Sequence, residues 1–168
     1  VKKIGLLSDT HGFLDERFFT LFSSCDEVWH AGDIGDIAVT DALEKFKPLR
    51  AVCGNIDGTK VRSAFPEEII FNCESVNVFL IHIGGYPGNY FPCIKEKLML
   101  HKPDIFICGH SHILKVMRDE KLNLLHINPG ASGKHGMHKV RTAIRFEIDG
   151  KKIQNLEVIE LGERGRIE

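Results

Sequence analysis

Five apolar runs in this chain end in side chains that can ligate a metal. KIGLLS is followed by Asp9-Thr10-His11, EVWHA by Gly32-Asp33, and LRAVC by Gly54-Asn55. VNVFLI is followed by His82, and DIFIC by Gly109-His110-Ser111-His112. The donors are two carboxylates, one amide oxygen and four imidazoles, with no sulfur. Such a set suits Mn²⁺, Fe²⁺, Zn²⁺, Co²⁺ or Ni²⁺ better than Mg²⁺ or Ca²⁺, which favour more oxygen. Seven donors exceed what one tetrahedral ion needs. Two ions sharing a bridging carboxylate would use them all, so the expected centre is binuclear. Each element alone is weak, because strand-end histidines are ordinarily hydrogen-bonded and Gly-Asp and Gly-Asn are common turn formers. The inference rests on all five runs ending alike.

For these ends to meet, the runs must be neighbouring strands. Lys3–Ser8, Glu27–His30 and Leu49–Cys53 read as strands. Between them stand a short helix over Asp15–Phe22 and one that Asp36 can cap, where Val39, Leu43 and Phe46 share a face. This alternation argues for parallel pairing with right-handed crossovers. After Pro66, EEIIFN and SVNVFLIH form a hairpin, and Pro92–His101 is a helix with proline in its first turn. Further strands fall at 104–108, 113–118 and 122–127, and a last hairpin at 141–148 and 152–160 turns at Asp149-Gly150. The expectation is an α/β fold of two packed mixed sheets with helices outside, in one domain over residues 1–168. In open α/β sheets the binding crevice lies at the carboxyl ends of the strands.

Composition narrows the function. Among 168 residues, 22 Lys and Arg stand against 23 Asp and Glu, a net charge of −1, which is no footprint for nucleic acid. No apolar segment approaches a membrane span, and the opening VKKIGLLSD carries no signal-peptide core. The five cysteines, at 25, 53, 73, 93 and 108, lack zinc-knuckle or redox spacing. Reduced thiols and a cytoplasmic location are expected. Neither a dinucleotide fingerprint nor a P-loop is present.

The ordered set Asp9-Thr10-His11, Gly32-Asp33 with Asp36, Gly54-Asn55 with Asp57, His82 and Gly109-His110-Ser111-His112 resembles the motifs of calcineurin-like metallophosphoesterases. Within that superfamily the chain is similar to small single-domain phosphodiesterases of bacteria and archaea. The likeness spans essentially the whole chain and includes Asn128-Pro129-Gly130. It implies a four-layer β-sandwich flanked by helices. It also implies one ion on Asp9, His11, Asp33 and His112, a second on Asp33, Asn55, His82 and His110, and Asp33 bridging. Asp36 and Asp57 would support these ligands from behind; a helix cap and a turn residue are equally open readings.

Two positions depart from the wider pattern. Ile56 stands where many relatives carry a histidine that assists the leaving group, and Ile83-Gly84 follows His82 where a polar group is usual. The first favours the small-phosphodiesterase subgroup and substrates with good leaving groups. The expected reaction is phosphoester hydrolysis, diesters favoured, by a hydroxide bridging two divalent ions, with manganese ahead of Fe, Zn, Ni or Co. Asp33, Asn55, His82 and His110 would act through it.

Some features stay outside this scheme. Gly84–Tyr90 (GGYPGNY) reads as a loop beside the site whose Tyr86 and Tyr90 could stack on a base or aryl group, and an ordinary surface loop is the plainer reading. His135 and His138, in a glycine-rich turn, could reach the substrate, with solvated loop residues the plainer reading. His30 and His126 read as hydrogen-bonded core residues, and His101 as a helix end. A weak or inactive protein-binding scaffold of the same fold, as in the retromer subunit, is the main alternative. Lactamase-like and amidohydrolase-like enzymes place an H-x-H pair early, unlike this chain. The expected partner is a small phosphoester, with homo-oligomerisation left open.

Overall fold

The computed structural model describes residues 1–165. Its first half runs β1 (Lys2–Leu7), α1 (Arg17–Leu21), β2 (Glu27–His30), α2 (Ile37–Phe46), β3 (Leu49–Ala51) and α3 (Thr59–Ala64). There follow β4 (Glu68–Cys73), β5 (Val76–Ile81), β6 (Gly85–Tyr86), β7 (Asn89–Tyr90), α4 (Pro92–His101) and β8 (Ile105–Ile107). The chain continues through β9 (Lys115–Asp119), β10 (Leu124–Asn128), β11 (Val140–Asp149) and β12 (Lys152–Glu163).

Two five-stranded sheets result, in the orders β12-β11-β1-β2-β3 and β4-β5-β8-β10-β9. Each has three parallel strands with antiparallel strands beside them: β1, β2 and β3 in one, β5, β8 and β10 in the other. Side chains alternate across a strand, so each sheet has two faces to bury. Ile4, Leu6, Trp29, Ile144 and Phe146 pack against Val78, Leu80, Ile105, Ile107 and Ile127, forming one core between the sheets. Leu7, Val28, Ala51 and Ala143 on the opposite face meet Phe18, Val39, Leu43 and Val61 of the first three helices and Phe22 just after α1. Phe79 and Phe106 meet Ile94 and Leu98 of α4. Helix, sheet, sheet and helix make four layers, as the sequence predicts.

Local departures have local causes. Helix α1 is shorter than expected, because Asp15 turns its carboxylate onto the Arg17 backbone and guanidinium and onto Arg141. Helix α3 was not anticipated; TKVRSA buries only Val61, so it has no apolar period to read. Gly84–Tyr90 is not a plain loop, since β6 and β7 pair within it. The final hairpin turns one residue later than expected: Asp149 pairs with Lys152, leaving Gly150 and Lys151 as the turn, with Gly150 at φ +58°. Asp36 caps α2, its carboxylate accepting from the Ala38 amide at 2.9 Å.

Candidate metal centre

The donors follow the parallel strands β1, β2, β3, β5 and β8, whose carboxyl ends lie along one edge of the sandwich. Backbone bonds carry each ladder into the loops beyond it. The Asp9 amide donates to the Gly32 carbonyl at 3.0 Å and the His11 amide to the Asp33 carbonyl at 3.0 Å. On the second sheet the Gly109 amide donates to the His82 carbonyl at 2.9 Å. The sheets are also tied to each other here. The His110 amide donates to Asp9 Oδ2 at 3.1 Å, and His82 Nδ1 donates to the Ala31 carbonyl at 2.7 Å. Two glycines make room: a Cβ on Gly54 would collide with the Asp33 carboxylate, and one on Gly109 with Ser8 and Asp9.

Two clusters of ligating atoms result, Asp9 with His11 and His112, and Asp33 with His82 and His110. Asp33 stands between them, its Oδ2 lying 3.2 Å from His82 Nε2 and 3.5 Å from His11 Nε2. Asn55 Oδ1 lies 3.0 Å from His110 Nδ1, at the exposed end of the second cluster. All seven sequence-predicted donors therefore meet at one place.

Hydrogen bonds behind the imidazoles determine which nitrogen faces inward. His138 Nε2 donates to the Gly133 carbonyl at 2.8 Å, so its Nδ1 accepts from His112 Nδ1 at 3.2 Å. His112 Nε2 then carries a lone pair and confronts Asp9 Oδ1 at 3.1 Å. His82, whose Nδ1–H donates to the Ala31 carbonyl, likewise turns its other nitrogen, Nε2, toward Asp33. Lone pairs opposed at this range are stable only around a cation or a shared proton. Among the described residues, the buried side-chain atoms without a hydrogen-bond partner are Asp9 Oδ1, His11 Nε2 and His82 Nε2. Each such atom costs about 1–3 kcal/mol when nothing binds it. The orphaned atoms and the oxygen–nitrogen chemistry fit divalent transition-metal ions.

The carboxylates and imidazoles are electrostatically coupled. Burial alone would raise the Asp9 carboxyl, but His11, His112 and His82 hold it well below the usual carboxylate range. Burial opposes ionisation of Asp33 too, and His82 outweighs it. Asp9 in turn raises His11, and Asp33 raises His82 against the effect of burial. Five of the seven donors also occupy the left-handed backbone region, with φ of +52° at Asp9, +46° at His11, +53° at Asp33, +70° at His110 and +60° at His112. Non-glycine residues rarely hold that conformation, and when they do it is often at functional sites.

Other residues brace the loops. Asp57 is buried and accepts from the Ile34, Gly35 and Gly54 amides, joining the loop of Asp33 to that of Asn55. His30 Nδ1 accepts from the Gly32 amide, so its Nε2 donates to Thr10 Oγ1, which donates to the Ile34 carbonyl. Ser8 Oγ donates to Asp9 Oδ2 at 2.6 Å, and Asn128 Nδ2 to the Gly109 carbonyl at 3.0 Å. Asp36 is exposed and caps its helix. Sequence reasoning missed His138, whose only signal was a second histidine in a glycine-rich turn. His135 reaches the site as well, its ring 4.9 Å from that of His11.

Comparison with known proteins bears on both fold and chemistry. A probable metallophosphoesterase of Methanothermobacter thermautotrophicus is 29% identical over 164 residues, covering 95% of this chain and 92% of that one. A structure described as a novel archaeal phosphodiesterase superposes with a TM-score of 0.75 at 22% identity, covering 95% of this chain and 99% of its own. Vps29 of Chaetomium thermophilum does so with a TM-score of 0.76 at 17% identity, covering 96% and 97%. These two structural likenesses speak for the fold alone. The sequence model of the calcineurin-like phosphoesterase superfamily domain matches residues 3–151, and by that match the chain belongs to this superfamily.

Proposed function

We propose that the protein is a binuclear metal-dependent phosphodiesterase. The observation that carries this reading is the set of buried atoms without a hydrogen-bond partner, Asp9 Oδ1, His11 Nε2 and His82 Nε2, gathered where two carboxylates and four imidazoles converge. Asp9, His11, Asp33 and His112 would hold one divalent ion, and Asp33, Asn55, His82 and His110 the other. The donor chemistry suits manganese, iron, zinc, nickel or cobalt, with manganese favoured. When bound, two such ions supply an ionised water and neutralise charge on a phosphoryl group.

The chain's own contribution is placement. Asp33 Oδ1 is fixed by the Ile56 amide at 3.1 Å, which leaves Oδ2 directed between the clusters. His110 and Asn55 are exposed, and so form the face that meets substrate. Ile56 is 47% exposed at that rim and carries no proton to give. Substrates whose leaving group needs no protonation are therefore favoured. The free state of all five cysteines supports a reducing, cytoplasmic setting.

Elemental analysis of protein purified without chelator, paired with turnover of bis(p-nitrophenyl) phosphate and p-nitrophenyl phosphate, tests the proposal. The expected result is two transition-metal ions per chain, faster diester turnover, loss on chelation and recovery with Mn²⁺. Bound metal without turnover would favour the scaffold reading, and turnover indifferent to chelation would end the metal mechanism.

A further inference from the structure

A cleft of about 490 Å³ opens beside the second cluster, with His110 in its wall. Ile83, Tyr86, Phe91, Ile113 and Lys115 line it. Three of these apolar side chains stand well out in water, Tyr86 at 48%, Phe91 at 50% and Ile113 at 62%. Large apolar groups left exposed together around a concave surface mark a binding site. The Tyr86 ring is braced for contact: its hydroxyl accepts from Asn89 Nδ2 at 3.0 Å, and the Lys115 ammonium lies 4.8 Å from its centroid. The β6–β7 hairpin that carries Tyr86 is seated on the second sheet, where a Cβ on Gly84 would collide with Phe106. His126 contributes to the lining as a neutral group, because burial pushes it down to about 4.

The other flank of the cluster is different. There a cleft of about 210 Å³ is lined by Asn55, Arg62, Glu67 and His82, with Ile83 common to both. Arg62 is occupied by the Gly54 and Asp57 carbonyls and by Glu67, so it frames the cleft and is not free to bind. A phosphodiester has two ester arms. Of the two clefts, the one beside His110 presents the Tyr86 and Phe91 rings, whereas the one beside Asn55 has no phenyl or phenol ring in its wall.

We propose that the large cleft receives a planar aromatic substituent of a phosphodiester, lying against Tyr86 with its phosphoryl end at His110. This assignment rests on the phosphodiesterase reading above. A ring held there gains apolar contact from Ile83, Phe91 and Ile113 and offset stacking from Tyr86. An aliphatic arm gains only part of the first.

The test is calorimetric binding of phenyl-, cyclohexyl- and methylphosphonate to the Mn²⁺-loaded protein, alongside bis(p-nitrophenyl) phosphate turnover. Phenylphosphonate is expected to bind at least about ten-fold tighter than methylphosphonate, with cyclohexylphosphonate between. Tyr86→Ala should cut the phenyl-to-methyl ratio to about three or less, while Tyr86→Phe keeps it, showing that the ring and not the fold is read. Equal affinities, a ratio untouched by both Tyr86→Ala and Ile113→Ser, or cyclohexyl binding as tight as phenyl would each overturn the assignment. Turnover without any phenyl preference would overturn it and leave the phosphodiesterase reading intact. Tyr86-dependent phenyl preference without turnover would support the cleft while that reading falls.

Discussion

The two clusters between which Asp33 stands are built differently. Around Asp9 every ligand is enclosed: Asp9 itself is fully buried, and the side chains of His11 and His112 are only 12% and 13% exposed. The 133–138 segment closes this side, His135 against His11 and His138 behind His112. Around Asp33 the inner ligands are just as buried, but His110 and Asn55 are exposed and clefts open on both flanks. One half of the centre is arranged to hold and the other to be reached. The same donor chemistry is thus wrapped by different loops, closed around one cluster and open beside the other.

The sharpest way to break this comparison is to remove what the halves have in common. Asp33→Asn is expected to empty both, with loss of most bound metal and about 10²–10³-fold of diester turnover, read by elemental analysis and kinetics. Retention of both would refute the shared role. The enclosed half can then be addressed alone. His138→Ala should weaken binding of one ion by about 10–100-fold, leaving the other affinity nearly unchanged in a calorimetric titration. In the metal-free protein, nitrogen-detected NMR should show the His112 proton moving from Nδ1 to Nε2, and His138→Gln should partly restore it.

His30, bonded to Thr10 after Asp9 and to Gly32 before Asp33, makes the support behind both halves acid-sensitive. Burial pushes His30 down to about 4, so the folded chain refuses a proton that the unfolded chain accepts at about 6.5. The unfolded state then binds more protons between those values, and stability falls as pH drops through that window. Relative to His30→Gln, the wild type should lose about 2 kcal/mol between pH 7 and pH 5 in denaturant titrations. No such divergence would mean that His30 is charged when folded. The smallest effect tests the open half. Because His110 sits at φ +70°, His110→Gly should leave the metal-free protein about 1 kcal/mol more stable than His110→Ala.

What could be read from the chain alone was the skeleton of this centre. Apolar runs ending in donors are a one-dimensional pattern, and parallel strands convert it directly into convergence. The edges of the scheme needed coordinates. His138 is invisible as a support because its partner lies 26 residues away and belongs to another loop. Asp57 looks like any turn aspartate until its three amide donors are seen on two separate loops. TKVRSA gave no helical period because a short helix lying on a sheet edge buries one side chain, not a stripe. The GGYPGNY hairpin escaped because two-residue strands are set by pairing, not by local preference.

The hydrogen bonds from His110 to Asp9 and from His82 to Ala31 cross from one sheet to the other. Any slippage between the two layers would pull the donor atoms apart before it disturbed the apolar interior. A pair of ions seated there would act as a rivet on the lip of the sandwich. Metal loading is then expected to raise resistance to proteolysis across both layers, beyond anything it does at the donors themselves.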